Sequence, residues 1–199
     1  GLCGAWAAMF RAPGMMMVIP AAWAAWVAWR RTKALRPWLA PFLTGLGVLV
    51  WPVYTWLVAG LSFMTPLEMG QERLHGWFTF PGAGIVSAVR NIWNDVFPIV
   101  NGYELFFTFL FLAGLVLVLK RLPDVYAVYC LAFMFLYVTR TNEPYPLLGM
   151  SRYVLVLFPV FFVAAQLGGN RWAHRAIVYG SLAGALFLSA QYAIWGWAG

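Results

Sequence analysis

Residues 149–162 read GMSRYVLVLFPVFF, with Arg152 and Tyr153 directly before a long apolar run and Pro159 inside that run. An apolar run that continues to about residue 169 is long enough for a helix that crosses a bilayer. Proline removes a backbone hydrogen bond, which membrane helices tolerate where neighbouring groups satisfy the freed carbonyl. We therefore expect a membrane helix that begins at Arg152 and bends near Pro159. The bend either opens a groove beside Arg152 or is a plain packing kink.

The composition of the whole chain indicates a membrane protein. Hydrophobic residues make up 63% of the 199 residues and charged residues only 10%, whereas a soluble domain has about a quarter charged residues. Twelve Trp and nine Tyr fit the aromatic belts of membrane interfaces. The formal net charge of +7 is interpreted as loop charge that sets orientation and faces anionic lipid, so the partner is the bilayer and not nucleic acid.

Six apolar segments are long enough, or nearly so, to cross about 30 Å of hydrocarbon. They cover residues 13–30, 39–60, 103–120, 124–140, 152–169 and 176–197. We expect an all-α bundle of about six transmembrane helices that forms a single domain over residues 1–199. The chain begins with Gly1, and its first ten residues look like the end of a truncated helix or an interfacial piece, so we expect that further residues precede it.

Three short loops carry eight of the thirteen Lys and Arg residues. Their sequences are RRTKALR (30–36), KRLPD (120–124) and NRWAHR (170–175). The positive-inside rule makes these loops cytoplasmic and leaves the C-terminus outside. We expect a multi-pass protein of a bacterial inner membrane, or of the endoplasmic reticulum membrane in a eukaryote.

Residues 61–102 are the longest segment on the outer side. A structureless loop of that length is uncommon in a compact protein. Good helix formers follow Pro66, and AGIVSAVRNIWNDVF (83–97) repeats apolar residues at helical spacing. We expect two amphipathic helices along the interface, near residues 66–76 and 84–97.

Three arginines stand at the outer ends of spans, against the orientation bias: Arg11, Arg140 and Arg152. Interfacial snorkelling is the plain explanation. A fixed anion such as a lipid phosphate explains them better, because a guanidinium binds phosphate through two parallel hydrogen bonds and stays charged. For three other outer charges a snorkelling side chain or a loop salt bridge is an equally good explanation: Arg90, Asp95 and Glu104.

The sequence offers no metal or cofactor site. His75 and His174 are predicted on opposite sides of the membrane, and we see no glycine-rich phosphate loop or nucleophile motif. Cys3 and Cys130 lie in apolar segments and are interpreted as small hydrophobic residues. Gly180 and Gly184 have the GxxxG spacing, a weakly specific helix-packing signal.

Three segments resemble those of PIG-V-like mannosyltransferases, which are multispanning membrane glycosyltransferases of the GT-C class. SRYVLVLFPVFFVAAQ (151–166) resembles an Arg-Tyr…Phe-Pro segment near the family's C-terminus. AWAAMFRAPGMMMVIPA (5–21) is similar to a segment with an arginine, a glycine and a proline, here Arg11, Gly14 and Pro20. SFMTPLEMGQERLHGWFTFP (62–81) is similar to an outer-loop stretch, through Pro66, Leu67, Gln71, Trp77 and Pro81.

The resemblance implies a GT-C-like fold and transfer of mannose or a related sugar. The donor would be a polyprenyl-phosphate-linked sugar and the acceptor would lie on the outer face, with no cofactor. We expect the donor phosphate to contact Arg152, Arg11, Arg73 and Tyr153. We expect the cavity that holds the acceptor to include Gln71, Glu72, Glu68 and His75.

Two departures from the family pattern leave alternatives open. Thr65 stands where the family usually has an acidic residue. The acidic residue that would act as base has no counterpart here. The resemblance therefore implies that this chain is the C-terminal half of a longer protein and that the base lies in the N-terminal half or in another membrane subunit. A non-catalytic membrane subunit with a GT-C-like fold is one alternative. A transporter is another, although the predicted spans carry few ionisable residues at mid-membrane depth, with Gln166 and Gln191 the main polar exceptions.

Overall fold

The computed structural model describes residues 1–10, 12–60, 62 and 77–193. The helix expected near residues 66–76 lies outside the described residues. Within them, the chain is all-α apart from two strands of two residues each. The all-α class expected from the sequence is confirmed.

The helices follow one another in chain order. They are α1 (Leu2–Phe10), α2 (Val18–Thr32), α3 (Leu39–Ala59), α4 (Ala83–Trp93), α5 (Pro98–Arg121), α6 (Asp124–Val138), α7 (Met150–Tyr153), α8 (Phe158–Leu167) and α9 (Arg171–Ala193). The chain also forms 3-10 segments at Ala12–Met17, Arg36–Trp38 and Val154–Val156, and the strands β1 (Trp77–Phe78) and β2 (Arg140–Thr141).

Three helices of the described chain are long and apolar enough to cross a membrane: Arg36–Ala59, Pro98–Arg121 and Arg171–Ala193. The number rises to four if the bent pair Met150–Val156 and Phe158–Leu167 is one broken span. Helices α2 and α6 have 15 residues each, fewer than the roughly 20 that a straight span needs. The structure therefore has three such helices, or up to four, where the hydropathy pattern predicts about six.

Local backbone structure explains why two predicted spans are short. The predicted span 13–30 begins inside the 3-10 segment Ala12–Met17, which contains Pro13 and Gly14 and leaves α2 to start at Val18. The predicted span 124–140 ends at Val138, because Arg140–Thr141 is a strand. Both segments are apolar along their predicted lengths, so composition alone did not reveal these ends.

The interruption near Pro159 is confirmed. The two parts of the segment meet at an angle of 78°, with Leu157 between them in a non-helical conformation (ψ 55°). Pro159 lies in the first turn of α8. Backbone N–H groups in this turn have no intrahelical acceptor, so the N–H that proline lacks costs the helix no hydrogen bond. The proline therefore starts a new helix after the break.

The helix expected near residues 84–97 is present as α4. It ends at Trp93, four residues earlier than predicted, because Asp95 and Phe97 both adopt positive φ angles of 57° and 46°. Left-handed backbone of this kind ends a right-handed helix. Phe97 then serves as the N-cap residue of α5.

The chain divides into two compact units. The first comprises residues 1–78 and 123–136, and the second comprises residues 79–122 and 137–199. In the first unit α1 packs against α3 through small residues: a Cβ atom on Gly4 would collide with the Thr44 side chain, and one on Gly47 with the Ala5 backbone. Helix α2 also packs against α3.

In the second unit α4, α7 and α8 all pack against α5. Gly114 of α5 lies so close to Val160 of α8 that any side chain on the glycine would collide with it. Helix α9 has no buried residue among Arg171–Ala193. The core of this unit is therefore arranged around α5.

Candidate functional site

The second unit contains a buried carboxylate, Glu104, in the second turn of α5. The residue is only 2% exposed. One carboxylate oxygen accepts hydrogen bonds from the Gly149 backbone N–H (3.2 Å) and the Ser151 hydroxyl (3.3 Å). The other accepts a hydrogen bond from the Ser151 backbone N–H (2.6 Å). A buried polar group is costly unless it is hydrogen-bonded, and these donors satisfy Glu104.

The hydrogen bonds of Glu104 fix the turn that leads into the bent apolar segment. Gly149 has φ +76° and is the N-cap residue of α7, a conformation that glycine adopts without steric cost. A Cβ atom on Gly149 would lie 3.2 Å from the Tyr153 ring and 3.3 Å from Nη2 of Arg152. The Arg152 guanidinium therefore folds back over Gly149.

Arg152 and Tyr153 occupy this one turn but differ in their surroundings. Arg152 is exposed and interacts electrostatically with Glu104. Tyr153 is half-buried, and its ring stacks on that of Tyr137 with centroids 4.9 Å apart and planes at 13°. Stacked rings of this kind hold Tyr153 in place, so the structure shows a packing role for this side chain.

Arg140 lies next to the same tyrosine pair. It is half-buried, and burial lowers its pKa, while the nearby Tyr153 and Tyr137 act in the opposite direction. The ordinary pKa of arginine is so high that the guanidinium remains charged at physiological pH. Two permanently charged arginines, Arg140 and Arg152, therefore belong to the same region of the second unit.

Two asparagines hold the α4–α5 connection and the loop that precedes the α7 turn. Asn91 of α4 donates a hydrogen bond from Nδ2 to the Pro144 carbonyl (2.9 Å). Asn101 of α5 donates to the Val96 carbonyl (2.9 Å) at the end of the α4–α5 connection. The Phe97 and Tyr145 rings are 4.9 Å apart. These contacts tie the loop around Pro144 to α4 and to the start of α5.

Glu104 corrects one interpretation of the sequence. The sequence allows a snorkelling side chain or a loop salt bridge at this position as readily as a functional role. The structure instead shows a buried carboxyl group that accepts hydrogen bonds from backbone N–H groups and a hydroxyl. Its hydrogen-bond donors come from a segment 45 to 47 residues later in the chain. The sequence signal for this site is a single carboxylate near the start of an apolar helix. Such a carboxylate needs hydrogen-bond donors when it is buried. Asn91 and Asn101 are recognisable from the sequence as polar residues of the outer side, but nothing there indicates their partners, and Ser151 gives no signal.

Of the eight predicted site residues, the structure describes Arg152 and Tyr153 and brings both to the α7 turn. The others lie outside the described residues: Arg11, Glu68, Gln71, Glu72, Arg73 and His75. Over residues 1–10, 12–60, 62 and 77–193, no three His, Cys, Asp or Glu side chains form a group that could hold a metal ion.

Models of protein families, curated protein sequences and solved structures gave no match. The candidate site therefore has to be interpreted from its own geometry and chemistry.

Proposed function

We propose that the chain is part of a membrane glycosyltransferase that moves mannose or a related sugar from a polyprenyl-phosphate donor to an acceptor on the outer face. The supporting observation is the position of Arg152. Its guanidinium is exposed, while its backbone belongs to a turn held by buried Glu104. A charged fork on a fixed turn at the start of a bent apolar segment suits a phosphate attached to a hydrocarbon chain.

The role of Arg152 in this proposal is electrostatic. When a glycosidic bond to a lipid phosphate breaks, negative charge increases on the leaving phosphate oxygens. A positioned cation stabilises that charge and lowers the barrier. Arg140 in the same unit is a second cation. Gln71, Glu72, Glu68 and His75 are proposed to line the acceptor cavity.

The proposed arrangement in the membrane is GT-C-like with about six spans. Helices α2 and α6 would cross as short spans or as parts of longer ones, in addition to the three long helices and the bent pair. The loops rich in Lys and Arg would face the cytoplasm and the C-terminus would lie outside. The general base would come from an N-terminal half or from another membrane subunit.

A non-catalytic membrane subunit is the second candidate, and one observation favours it. The buried Glu104 carboxylate is engaged by two backbone N–H groups and a hydroxyl, so it stabilises the turn and is not positioned as a base. A subunit that binds the lipid donor and leaves the acid–base chemistry to a partner would use the same Arg152 site.

Lipid binding provides the test. The chain is reconstituted in phosphatidylcholine nanodiscs, and binding of a polyprenyl phosphate is compared with binding of the uncharged polyprenol of the same length. We expect the phosphate to bind more tightly and the difference to decrease in Arg152→Gln. Equal binding of the two lipids would contradict the proposal. Donor binding without sugar transfer, measured with the full native complex, would favour the non-catalytic subunit.

A further inference from the structure

The first unit contains an apolar groove of about 530 Å³ between the start of α2 and the first half of α3. Met16 and Ile19 line one side, and Phe42, Leu46 and Leu49 line the other. Its volume lies in the range of about 300–1,000 Å³ that is typical of small-molecule sites. The groove is separate from the Glu104–Arg152 turn, which belongs to the other unit.

The occupant of this groove is expected to be a hydrocarbon chain. Helix α3 belongs to the candidate span Arg36–Ala59, so its uncovered face meets lipid. Phe42 is 61% exposed and Leu46 is 45% exposed. Gly45 also lines the groove, and a Cβ atom at this position would have no neighbour within 4 Å. The glycine therefore leaves space that an acyl chain can fill.

The last turn of α2 and the connection that leads to α3 carry a cluster of positive charge. Its basic residues are all exposed: Arg30, Arg31, Lys33 and Arg36. Residues 1–60 contain no Asp or Glu, so no acid within this stretch neutralises them. The ammonium group of Lys33 lies 5.1 Å from the centre of the Trp29 ring, which holds one of these charges near the end of α2.

The end of the groove formed by Pro41 and Phe42 lies nearest to the charges. Arg36 precedes Pro41, which lines the groove, by five residues. Arg36–Trp38 is a 3-10 segment that leads into α3, so these five residues rise about 8–10 Å. Pro41 therefore lies below Arg36 as the first acyl carbons of a phospholipid lie below its phosphate. In the proposed orientation the basic cluster of residues 30–36 faces the cytoplasmic leaflet, where anionic lipids are concentrated.

We propose that the groove binds one acyl chain of an anionic phospholipid, with the headgroup phosphate held by the basic cluster of residues 30–36. This site is distinct from the proposed donor site and does not depend on glycosyl transfer. A phospholipid bound here fills the space between α2 and α3 in the first unit.

Photolabelling and lipid retention test the proposal. The wild-type chain is reconstituted with a phosphatidylglycerol that carries a diazirine on its acyl chain, and the labelled peptides are mapped by mass spectrometry. We expect label at residues 15–19 and 41–49. The diazirine phosphatidylcholine of the same chain length should label these residues at least about fivefold less, because each nearby cation favours an anionic lipid by about that factor. Even labelling of α9 and the groove, or equal labelling by both lipids, would overturn the proposal.

Matched variants separate the groove from the charges. Gly45→Leu fills the groove, and Gly180→Leu adds the same side chain to α9, where a Cβ atom also has no neighbour within 4 Å. Native mass spectrometry should show several-fold lower retention of phosphatidylglycerol in Gly45→Leu and unchanged retention in Gly180→Leu. Replacing Arg31 and Arg36 by Gln should lower retention, and the same change at Lys120 and Arg121 should not. If the charge variant alone loses lipid, the headgroup binds without the groove and the proposal is wrong.

Discussion

The Glu104 carboxylate lies 2.6 Å from the backbone nitrogen of Ser151, a residue 47 positions later in the chain. This hydrogen bond joins the long apolar helix α5 to the turn from which the bent apolar segment starts. A short hydrogen bond between two buried groups is costly to lose, because the donor would be left without a partner. Glu104 therefore determines where the neighbouring Arg152 lies.

Glu104→Gln should destabilise the second unit. The amide keeps one acceptor oxygen but presents an NH₂ group to one of the N–H donors, so at least one buried group of the turn loses its partner. Leaving a buried donor unsatisfied costs about 1–3 kcal/mol. Chemical denaturation in detergent measures the free energy of unfolding. Glu143→Gln is the control, because Glu143 is exposed and should tolerate the change; equal effects of the two substitutions would contradict the structural role of Glu104.

Gly149→Ala should also be destabilising, for a reason in the backbone. Gly149 has φ +76°, and this left-handed conformation costs about 1–2 kcal/mol for a residue with a Cβ atom. The added methyl group would press on the Tyr153 ring and on Arg152. Gly102→Ala is the matched control, because Gly102 lies inside α5 with open space around its Cβ position. That change should stabilise α5 by about 0.5–1 kcal/mol. Thermal unfolding of the two variants should therefore shift in opposite directions.

Gly47→Ala should weaken the packing of α1 on α3. A methyl group there would collide with the Ala5 backbone, whereas one at Gly45 would meet nothing within 4 Å. Overpacking a close contact costs about 1–3 kcal/mol. Gly45→Ala, two residues away on the same helix, should be neutral or slightly stabilising. Comparable losses of stability in both variants would mean that the effect comes from the helix backbone and not from the contact with α1.

Features that depend on a few neighbouring residues could be predicted from the sequence. The break before Pro159 follows from the missing N–H of proline, and α4 follows from the spacing of apolar residues after Pro81. The apolar spacing predicts an end of α4 four residues too late, since Asp95 and Phe97 adopt left-handed backbone that side-chain type alone does not dictate. The same limit applies to α2, whose predicted start falls in a 3-10 segment.

The candidate site could be predicted only in part, because its contacts join distant segments. Arg152 stood out as a charge at the start of an apolar run, and the structure does place it on an ordered turn. The partners of Glu104 lie 45 to 47 residues away in sequence, and those of Asn91 lie 53 residues away. Helical periodicity carries no information at such separations. These pairs are set by how α4 and the loop pack against α5.

Arg152→Lys distinguishes a phosphate site from an interfacial anchor. Lysine keeps the charge but loses the two-pronged geometry, so a plain anchor would tolerate it, whereas phosphate affinity should decrease. Because Arg152 is exposed, we expect the loss at the lower end for a charge-assisted contact, about 1–2 kcal/mol or roughly fivefold to thirtyfold in affinity.

Arg90→Lys is the control, since Arg90 is an exposed arginine of α4. The measurement is titration of polyprenyl phosphate into the chain in phosphatidylcholine nanodiscs, together with the donor dependence of sugar transfer in the native membrane. Unchanged affinity in Arg152→Lys, with folding intact, would show that Arg152 only anchors the turn at the interface. Loss of affinity in both variants would show a general charge effect and no site at Arg152.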